Sequence, residues 1–371
     1  MEKRVLFITP FVPNITEGAG AAYSGELINE VSKHHRVDLL YFRYSDKTSY
    51  LPVNANITIV GEFVISKLTK IIGAISLPHY FPLFTSRFSW KILRLINKLV
   101  SVNRYDIIYF DFSQTFSYAR FIKHPNKVLM SHDIIAQKYS RMHKNLLFWA
   151  KWTESHLLNV GTERFTFSEK DCKLLSSLYN LNSVPTSFFI GSDVKAAIPI
   201  EIGDYYVMFG SWGRSENYEA LDWVMDNIDI LLGVGERIVV IGGGKMPEYI
   251  MKRIDKCASI EYKGFIENPY PIIANAKAEL APLYKGAGVK VKCVEALACG
   301  TPVIGTDVAL EGIPEQFSKL MFRANSAIDF RQQMNYANNV SLTERSVYKS
   351  FFIQEYNYKS IVSYIDNSPS I

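Results

Sequence analysis

Short apolar runs of strand length alternate along this chain with longer runs of helical spacing, and the series is played through twice. Val5–Thr9 is a buried-strand pattern. Pro10–Gly20 reads as a loop, and Ala21–Lys33 as a helix with Leu27, Ile28 and Val31 at helical spacing. Val37–Phe42, Asp106–Phe110, Lys127–Met130 and Arg164–Phe167 continue the strands. The pattern restarts with strand Tyr205–Phe209, Gly210, a helix over Asn217–Ile230, and strand Arg237–Ile241 running into Gly242–Gly244. Ile260–Tyr262, Ala278–Ala281 and Pro302–Gly305 follow. Such alternation makes βαβ units and a parallel sheet. The expected fold class is α/β, with two Rossmann-like domains. Ile190–Asp204, which carries Gly191, Pro199 and Gly203 and no clear period, reads as the linker. The expected domains are 1–195 and 196–345, followed by an aromatic, helix-like segment over 346–371.

A chain of 371 residues, 48% hydrophobic and 21% charged, can bury two cores of this kind. Its formal charge of +5 is too small by itself to indicate nucleic acid. Cys172, Cys257, Cys293 and Cys299 form no CxxC pair and no zinc-type spacing with histidine, which fits reduced thiols in a cytoplasmic protein. Met1–Pro13 contains only the apolar run Val5–Ile8, shorter than the roughly 7–15 residues of a secretory signal. The uncharged stretch Ile71–Ser86 is broken by Pro78 and Pro82 and falls short of the roughly 18–20 residues that span a bilayer.

The segment Ala281–Val303 carries the most chemistry. A strand ends near Ala281, Gly286 and Gly288 make a loop, and the spacing predicts a helix from Val289 to Cys299. Gly300 then suits the position just past the helix end, and Pro302 stops it. Glycines ahead of a helix let backbone N–H groups approach an anion, and the helix dipole adds positive potential there. Lys290 and Lys292 place two cations on the first turn, so a diphosphate suits the site. Glu295, one to two turns along, can accept hydrogen bonds from a ribose diol. The plainer alternative is a strand-loop-helix with solvated lysines and a terminating glycine.

This segment resembles the nucleotide-sugar signature of glycosyltransferase family 4 and its close relatives, G-x-G-x-K/R-x-K-x-x-E-A-x-A-x-G-x-P-V. Gly286, Gly288, Lys290, Lys292, Glu295, Ala296, Ala298, Gly300, Pro302 and Val303 match it. Thr306 and Glu311-Gly312 resemble the family's continuation, and Phe209–Asn217 its strand, glycine loop and helix-opening Asn. Gly264-Phe265-Ile266 resembles the turn whose backbone faces the nucleobase. The resemblance covers about residues 205–315 and is fainter before them. It implies the GT-B fold, with a cleft between the two domains and a C-terminal helix crossing back to the first. It implies donor binding by Gly210, Phe265, Ile266, Gly286, Gly288, Val289, Lys290, Lys292 and Glu295, with Lys290 also neutralising the leaving diphosphate. It further implies retaining transfer without metal or other cofactor, to a glycan or lipid-linked glycan acceptor of a bacterial surface polysaccharide. Many retaining members carry a second glutamate eight residues before the first, where this chain has Ala287.

In the first half, the resemblance assigns the loop containing Gly18 and Gly20 to the acceptor side. Ser131-His132-Asp133 follows a strand, at the carboxyl end where ligands of such sheets bind. His132 is expected to contact sugar or acceptor rather than serve as a base, with Asp133 beside it. Asp111 also follows a strand and reads as a satisfied loop carboxylate, and Gly242–Gly244 as a tight turn. Finally, Val64–Arg104 contains seven Lys and Arg and no Asp or Glu, among many large apolar side chains. Within it Ser89–Val100 is helix-like, with apolar residues on one side and cations on the other, a pattern suited to the inner face of an anionic membrane. The alternative is a packed helix with a solvated cationic face. No motif supports nucleic-acid binding. Two rival readings of the chain are a sugar-nucleotide epimerase of the same fold and a non-catalytic nucleotide-sugar-binding subunit.

Overall fold

The computed structural model describes residues 2–14, 19–44, 54–356 and 359–369. The chain divides into two compact units. The first takes in everything up to Phe189 and, again, the closing helix; the second runs from Ile190 to the helix that ends at Glu355.

In chain order the first unit has β1 (Arg4–Thr9), α1 (Ala19–Ser32), β2 (Arg36–Tyr44), β3 (Ile57–Ile65), α2 (Lys67–Ser76), α3 (Pro82–Thr85) and α4 (Trp90–Val102). There follow β4 (Ile107–Asp111), α5 (Phe116–Ala119), β5 (Lys127–Ser131), α6 (Ile135–Met142), α7 (Leu147–Leu158), β6 (Glu163–Thr166), α8 (Glu169–Tyr179) and β7 (Val184–Pro185). All seven strands pair in parallel in the order β3-β2-β1-β4-β5-β6-β7. The central strands read as unbroken apolar runs because helices cover both faces of a parallel sheet. Leu6, Ile8, Ile108, Phe110 and Leu129 are fully buried there.

The second unit has α9 (Ser192–Ala196), β8 (Tyr205–Phe209), α10 (Ser215–Asp226), α11 (Ile228–Leu231), β9 (Arg237–Ile241), α12 (Glu248–Ile254), β10 (Ile260–Gly264) and α13 (Tyr270–Asn275). It continues with β11 (Glu279–Ala281), α14 (Val291–Ala298), β12 (Val303–Gly305), β13 (Met321–Arg323), α15 (Ala327–Ala337) and α16 (Leu342–Glu355). Its six strands are parallel in the order β10-β9-β8-β11-β12-β13. In both sheets the order reverses between the first strand and the fourth, the place where open α/β sheets bind ligands.

Several expectations need adjusting. The stretch read as linker contains α9, which belongs to the second unit: the Lys349 ammonium bridges Val194 O at 2.8 Å and Ala298 O at 3.1 Å. The helix expected over 217–230 breaks at Asn227, whose amide donates back to Trp223 O at 2.8 Å. The aromatic tail expected as one returning helix is two helices. The Arg345 guanidinium of α16 donates to Ala276 O at 2.6 Å and Lys277 O at 2.7 Å, which fixes α16 in the second unit. Only α17 (Lys359–Asn367) packs on the first unit. There Lys3 donates to the last-turn carbonyls of Ile365 at 2.5 Å and Asp366 at 2.8 Å, satisfying groups a helix end leaves open.

Within the cationic stretch 64–104, the segment Ser89–Val100 takes the second of its two readings. α4 buries Ile92, Leu93 and Ile96 in the core and leaves Lys91, Arg94 and Lys98 in solvent, so it is a packed helix with a solvated cationic face.

Candidate functional site

In the second unit the reversal point lies between β8 and β11, and the loops leaving these strands carry the signature residues. After β8, Gly210 N–H donates to Ile241 O at 3.2 Å, and Trp212 N–H to Gly243 O at 2.8 Å. Gly242 has to be glycine: a Cβ there would stand 1.9 Å from the Gly210 carbonyl oxygen. The Gly242–Gly244 triplet is thus the tight turn that lets two strand-end loops lie against each other. Gly242 N–H in turn donates to Gly264 O at 2.8 Å, at the end of β10. Phe265, the next residue, is 77% exposed beside Gly243, and Ile266 is half-buried.

After β11 the chain passes through Gly286 and Gly288, both at left-handed φ (103° and 68°) that side-chain-bearing residues rarely adopt. α14 then starts at Val291, two residues later than the spacing predicts, because Lys290 has an extended ψ of 103° and caps the helix instead of joining it. Its ammonium folds back on the loop, donating to Gly288 O at 2.6 Å and pairing with Glu311 at 3.2 Å. Val289 is buried beneath the loop. Lys292 does lie on the first turn, and donates to Asn217 Oδ1 at 3.1 Å. The Asn217 amide donates to Ser211 O at 2.9 Å, so one side chain links both loops of the reversal point.

Glu295 is half-buried and accepts from Tyr270 Oη at 3.1 Å. Burial pushes its carboxyl up to about 7, against the opposing pull of the Tyr270 hydroxyl. Beneath it, Glu279 on β11 is fully buried, with neither carboxylate oxygen paired to a nitrogen or oxygen. The Cys293 thiol is its hydrogen-bonding neighbour. Burial pushes Glu279 up to about 7 as well, opposed by the Lys292 charge and reinforced by Glu295. The sequence reading did not find Glu279 or Tyr270. A charged residue inside a three-residue strand was the available signal for the first.

In the first unit the reversal point lies between β1 and β4. His132 directly follows β5 and is buried, its Nε2 at 2.8 Å from Asp111 Oδ1. The carboxylate paired with this histidine is therefore Asp111, the last residue of β4, and not the adjacent Asp133, which is half-buried. Asp111 also accepts from Ser24 Oγ on α1. Phe112 stacks on the imidazole at 13° between planes, and Tyr23 and Phe167 pack edge-on to it. Phe112 has φ of 60°, a strained value for an aromatic residue and a mark of functional sites. Gly20 lies in α1 and not in the loop expected, since α1 begins at Ala19. A Cβ on Gly20 would stand 2.6 Å from the Phe112 ring. Gly18 lies outside the described residues. Among the described residues no group of three or more His, Cys, Asp or Glu side chains is arranged to hold a metal ion.

The sequence from 204 to 337 matches the family model described as Glycosyl transferases group 1. The chain carries a group 1 glycosyltransferase domain. That domain coincides with most of the second unit and contains both loops of its reversal point. None of the curated proteins matches the chain. Among solved structures, the chain shares its fold with sucrose-phosphate synthase from Thermosynechococcus elongatus, at a TM-score of 0.69 and 13% identity over 98% of each chain. The lipopolysaccharide outer core galactosyltransferase WaaB gives 0.67 and 13% over 98% of each chain. Anabaena HepE, in complex with UDP and glucose, gives 0.65 and 12% over 98% of each. These are GT-B proteins, so the two Rossmann-like units of this chain make up a GT-B fold.

Proposed function

We propose that this glycosyltransferase is a retaining enzyme that takes a sugar from a nucleotide-sugar donor held by the second unit. The observation that carries this reading is the paired-loop site at the β8–β11 reversal point. Two left-handed glycines lead into a helix N-terminus, two lysines flank it, and a carboxyl lies one turn further on. HepE, of the same fold, is described in complex with UDP and with UDP-glucose, which supports a donor of that class.

In the transfer, the bond between the anomeric carbon and the diphosphate oxygen breaks, and an acceptor hydroxyl forms the new bond on the same face. The acceptor proton passes to the departing diphosphate. The electrostatic task is to stabilise charge that develops on that diphosphate, and Lys290, Lys292 and the α14 N-terminus supply the positive potential. Lys290 exchanges its loop carbonyl and Glu311 for the phosphate as the donor binds. Glu295 accepts from the ribose hydroxyls, and Phe265 and Ile266 lie against the base. In the first unit His132, oriented by Asp111, contacts sugar or acceptor, with Asp133 and the Gly18–Gly20 segment on the acceptor side. The acceptor is a glycan or lipid-linked glycan of a bacterial surface polysaccharide, and the enzyme works at the cytoplasmic face of the cell membrane without metal. Among the described residues no helix is long and apolar enough to cross a membrane.

The test is incubation with a panel of nucleotide-sugars and glycan acceptors, followed by product analysis. A glycoside with the donor's anomeric configuration is expected. An inverted glycoside would overturn the retaining assignment. An epimerised nucleotide-sugar, or binding with no turnover on any acceptor, would favour the two rival readings.

A further inference from the structure

Helix α2 faces outward with its apolar side. Its one buried residue is Gly73, which lies against the backbone of Thr85 and Phe88: a Cβ there would stand 2.2 Å from the Thr85 carbonyl oxygen. At about 100° per residue, Leu68, Ile71, Ile72 and Ile75 fall on the opposite side of the helix, in one stripe. All four are in solvent, Leu68 at 64% and Ile75 at 71% exposed. A core helix buries such a stripe; this one buries its glycine instead, which lets the helix lie close on α3 while the stripe stays outside.

A second exposed apolar group is tied to the loop that follows α2. Phe148, Trp149 and Trp152 on α7 are exposed, Phe148 at 83%. The loop that leaves α2 holds this end of α7: Trp149 Nε1 donates to His79 O at 2.8 Å, and Tyr80 stacks on Trp152 with ring centroids 5.8 Å apart. Both regions lack acids. Residues 64–104 carry seven cations and no Asp or Glu, and residues 134–153 carry Lys138, Arg141, Lys144 and Lys151 and again no acid. An exposed apolar stripe, exposed tryptophans tied to the loop that follows it, and exposed cations such as Lys67 and Lys144 in segments without acids make up the pattern of an interfacial surface.

We propose that α2 and the aromatic side chains opening α7 seat this protein on an anionic lipid surface. The apolar stripe enters the boundary of the acyl chains and the flanking lysines remain at the headgroups. Charge favours lipid over a second copy of the chain, because two such faces brought together would set like-charged borders against each other. The proposal rests on the reading of the chain as an enzyme of the inner membrane face. Vesicle partition needs neither donor nor acceptor, so the two readings fail separately.

The experiment is co-sedimentation of the full chain with phosphatidylcholine vesicles that contain or lack phosphatidylglycerol, at low and high salt. The parent is expected on the anionic vesicles and largely off the neutral ones. Ile72→Ser with Ile75→Ser should reduce binding by at least about tenfold. Both side chains are exposed, so the thermal unfolding curve should match the parent's and serves as the check on folding. Lys67→Glu with Lys144→Glu should reduce binding several-fold at low salt and little at high salt. Binding that ignores lipid charge, or that survives the paired Ile→Ser change, overturns the proposal. So does a loss of self-association in that variant with vesicle partition unchanged, which would assign the stripe to a second copy.

Discussion

Lys292 donates to Asn217 across 3.1 Å, and this bond ties the first turn of α14 to the loop that follows β8. Asn217 in turn holds that loop through Ser211 O. In the proposed donor site, a diphosphate at the α14 N-terminus would meet an ammonium already positioned between the two loops. Lys292→Ala should weaken nucleoside diphosphate binding by about 1.5–3 kcal/mol, typical of a lost charged hydrogen bond, and Asn217→Ala by about 1 kcal/mol. Titration calorimetry measures both. If Lys292→Ala binds like the parent, the diphosphate lies elsewhere.

Lys290 and Glu295 bracket the same helix turn with different duties. Lys290→Ala should lower both nucleoside diphosphate binding and turnover by about 1.5–3 kcal/mol. Glu295→Gln should weaken nucleotide binding without unfolding the protein, because the amide can still accept from Tyr270. Calorimetry with UDP and a thermal melt separate the two effects. Equal binding by both variants and the parent would remove this turn from the donor site.

The sheets and the signature loop were legible in the sequence because both rest on local rules. Strands such as Val5–Thr9 and Arg237–Ile241 are apolar runs of strand length, and glycines before a helix mark an anion site at short range. What escaped was set by tertiary contact. β3 is an edge strand with a mixed burial pattern, and Gly61-Glu62 interrupts its apolar residues. The sequence sets Asp133 next to His132, whereas the sheet brings Asp111 to the imidazole from the neighbouring strand. The amphipathic pattern of α4 is plain in the sequence, but periodicity alone does not say whether an apolar side meets a core or a membrane. α2, with a glycine at its contact face, carries the opposite arrangement.

The Asp111–His132 pair predicts a split between binding and turnover. Asp111 holds the imidazole through Nε2 and is itself held by Ser24, with strained Phe112 closing the other face. Asp111→Asn should reorient the ring and lower kcat by about 10- to 100-fold, corresponding to a lost buried hydrogen bond of about 1–3 kcal/mol. The Kd for the nucleoside diphosphate should stay within about twofold of the parent's, since the proposed donor site belongs to the second unit. A variant with parental kcat would make the pair purely structural.

Charge neutralisation by lysines and a helix N-terminus predicts that transfer does not need a divalent ion. Turnover should be the same in excess chelator as in magnesium or manganese. Loss of turnover in chelator that either metal restores would show that a metal shares the diphosphate.

Glu279 predicts how the stability of the second unit depends on pH. Its carboxylate is fully buried on β11 with no nitrogen or oxygen partner, and the charged groups facing it are Lys292 and Glu295. Burial moves it from its ordinary 4.5 up to about 7, so the folded state binds its proton more tightly than the unfolded state does. The stability from that proton is fully present below the unfolded value and is lost as the pH rises through the folded one. Between about pH 4.5 and 7 the second unit should therefore become less stable, by an amount on the order of 3 kcal/mol from this group. Glu295, raised in the same direction, adds to the fall by a smaller amount because it is only half-buried. Glu279→Gln cannot ionise. It should unfold at a higher temperature than the parent at pH 8, show a much smaller difference at pH 5, and flatten the curve between them. Thermal unfolding across that range decides the matter: a parent whose stability rises from pH 5 to 8, or a Gln variant with the parent's pH profile, would show that Glu279 carries its charge at no cost.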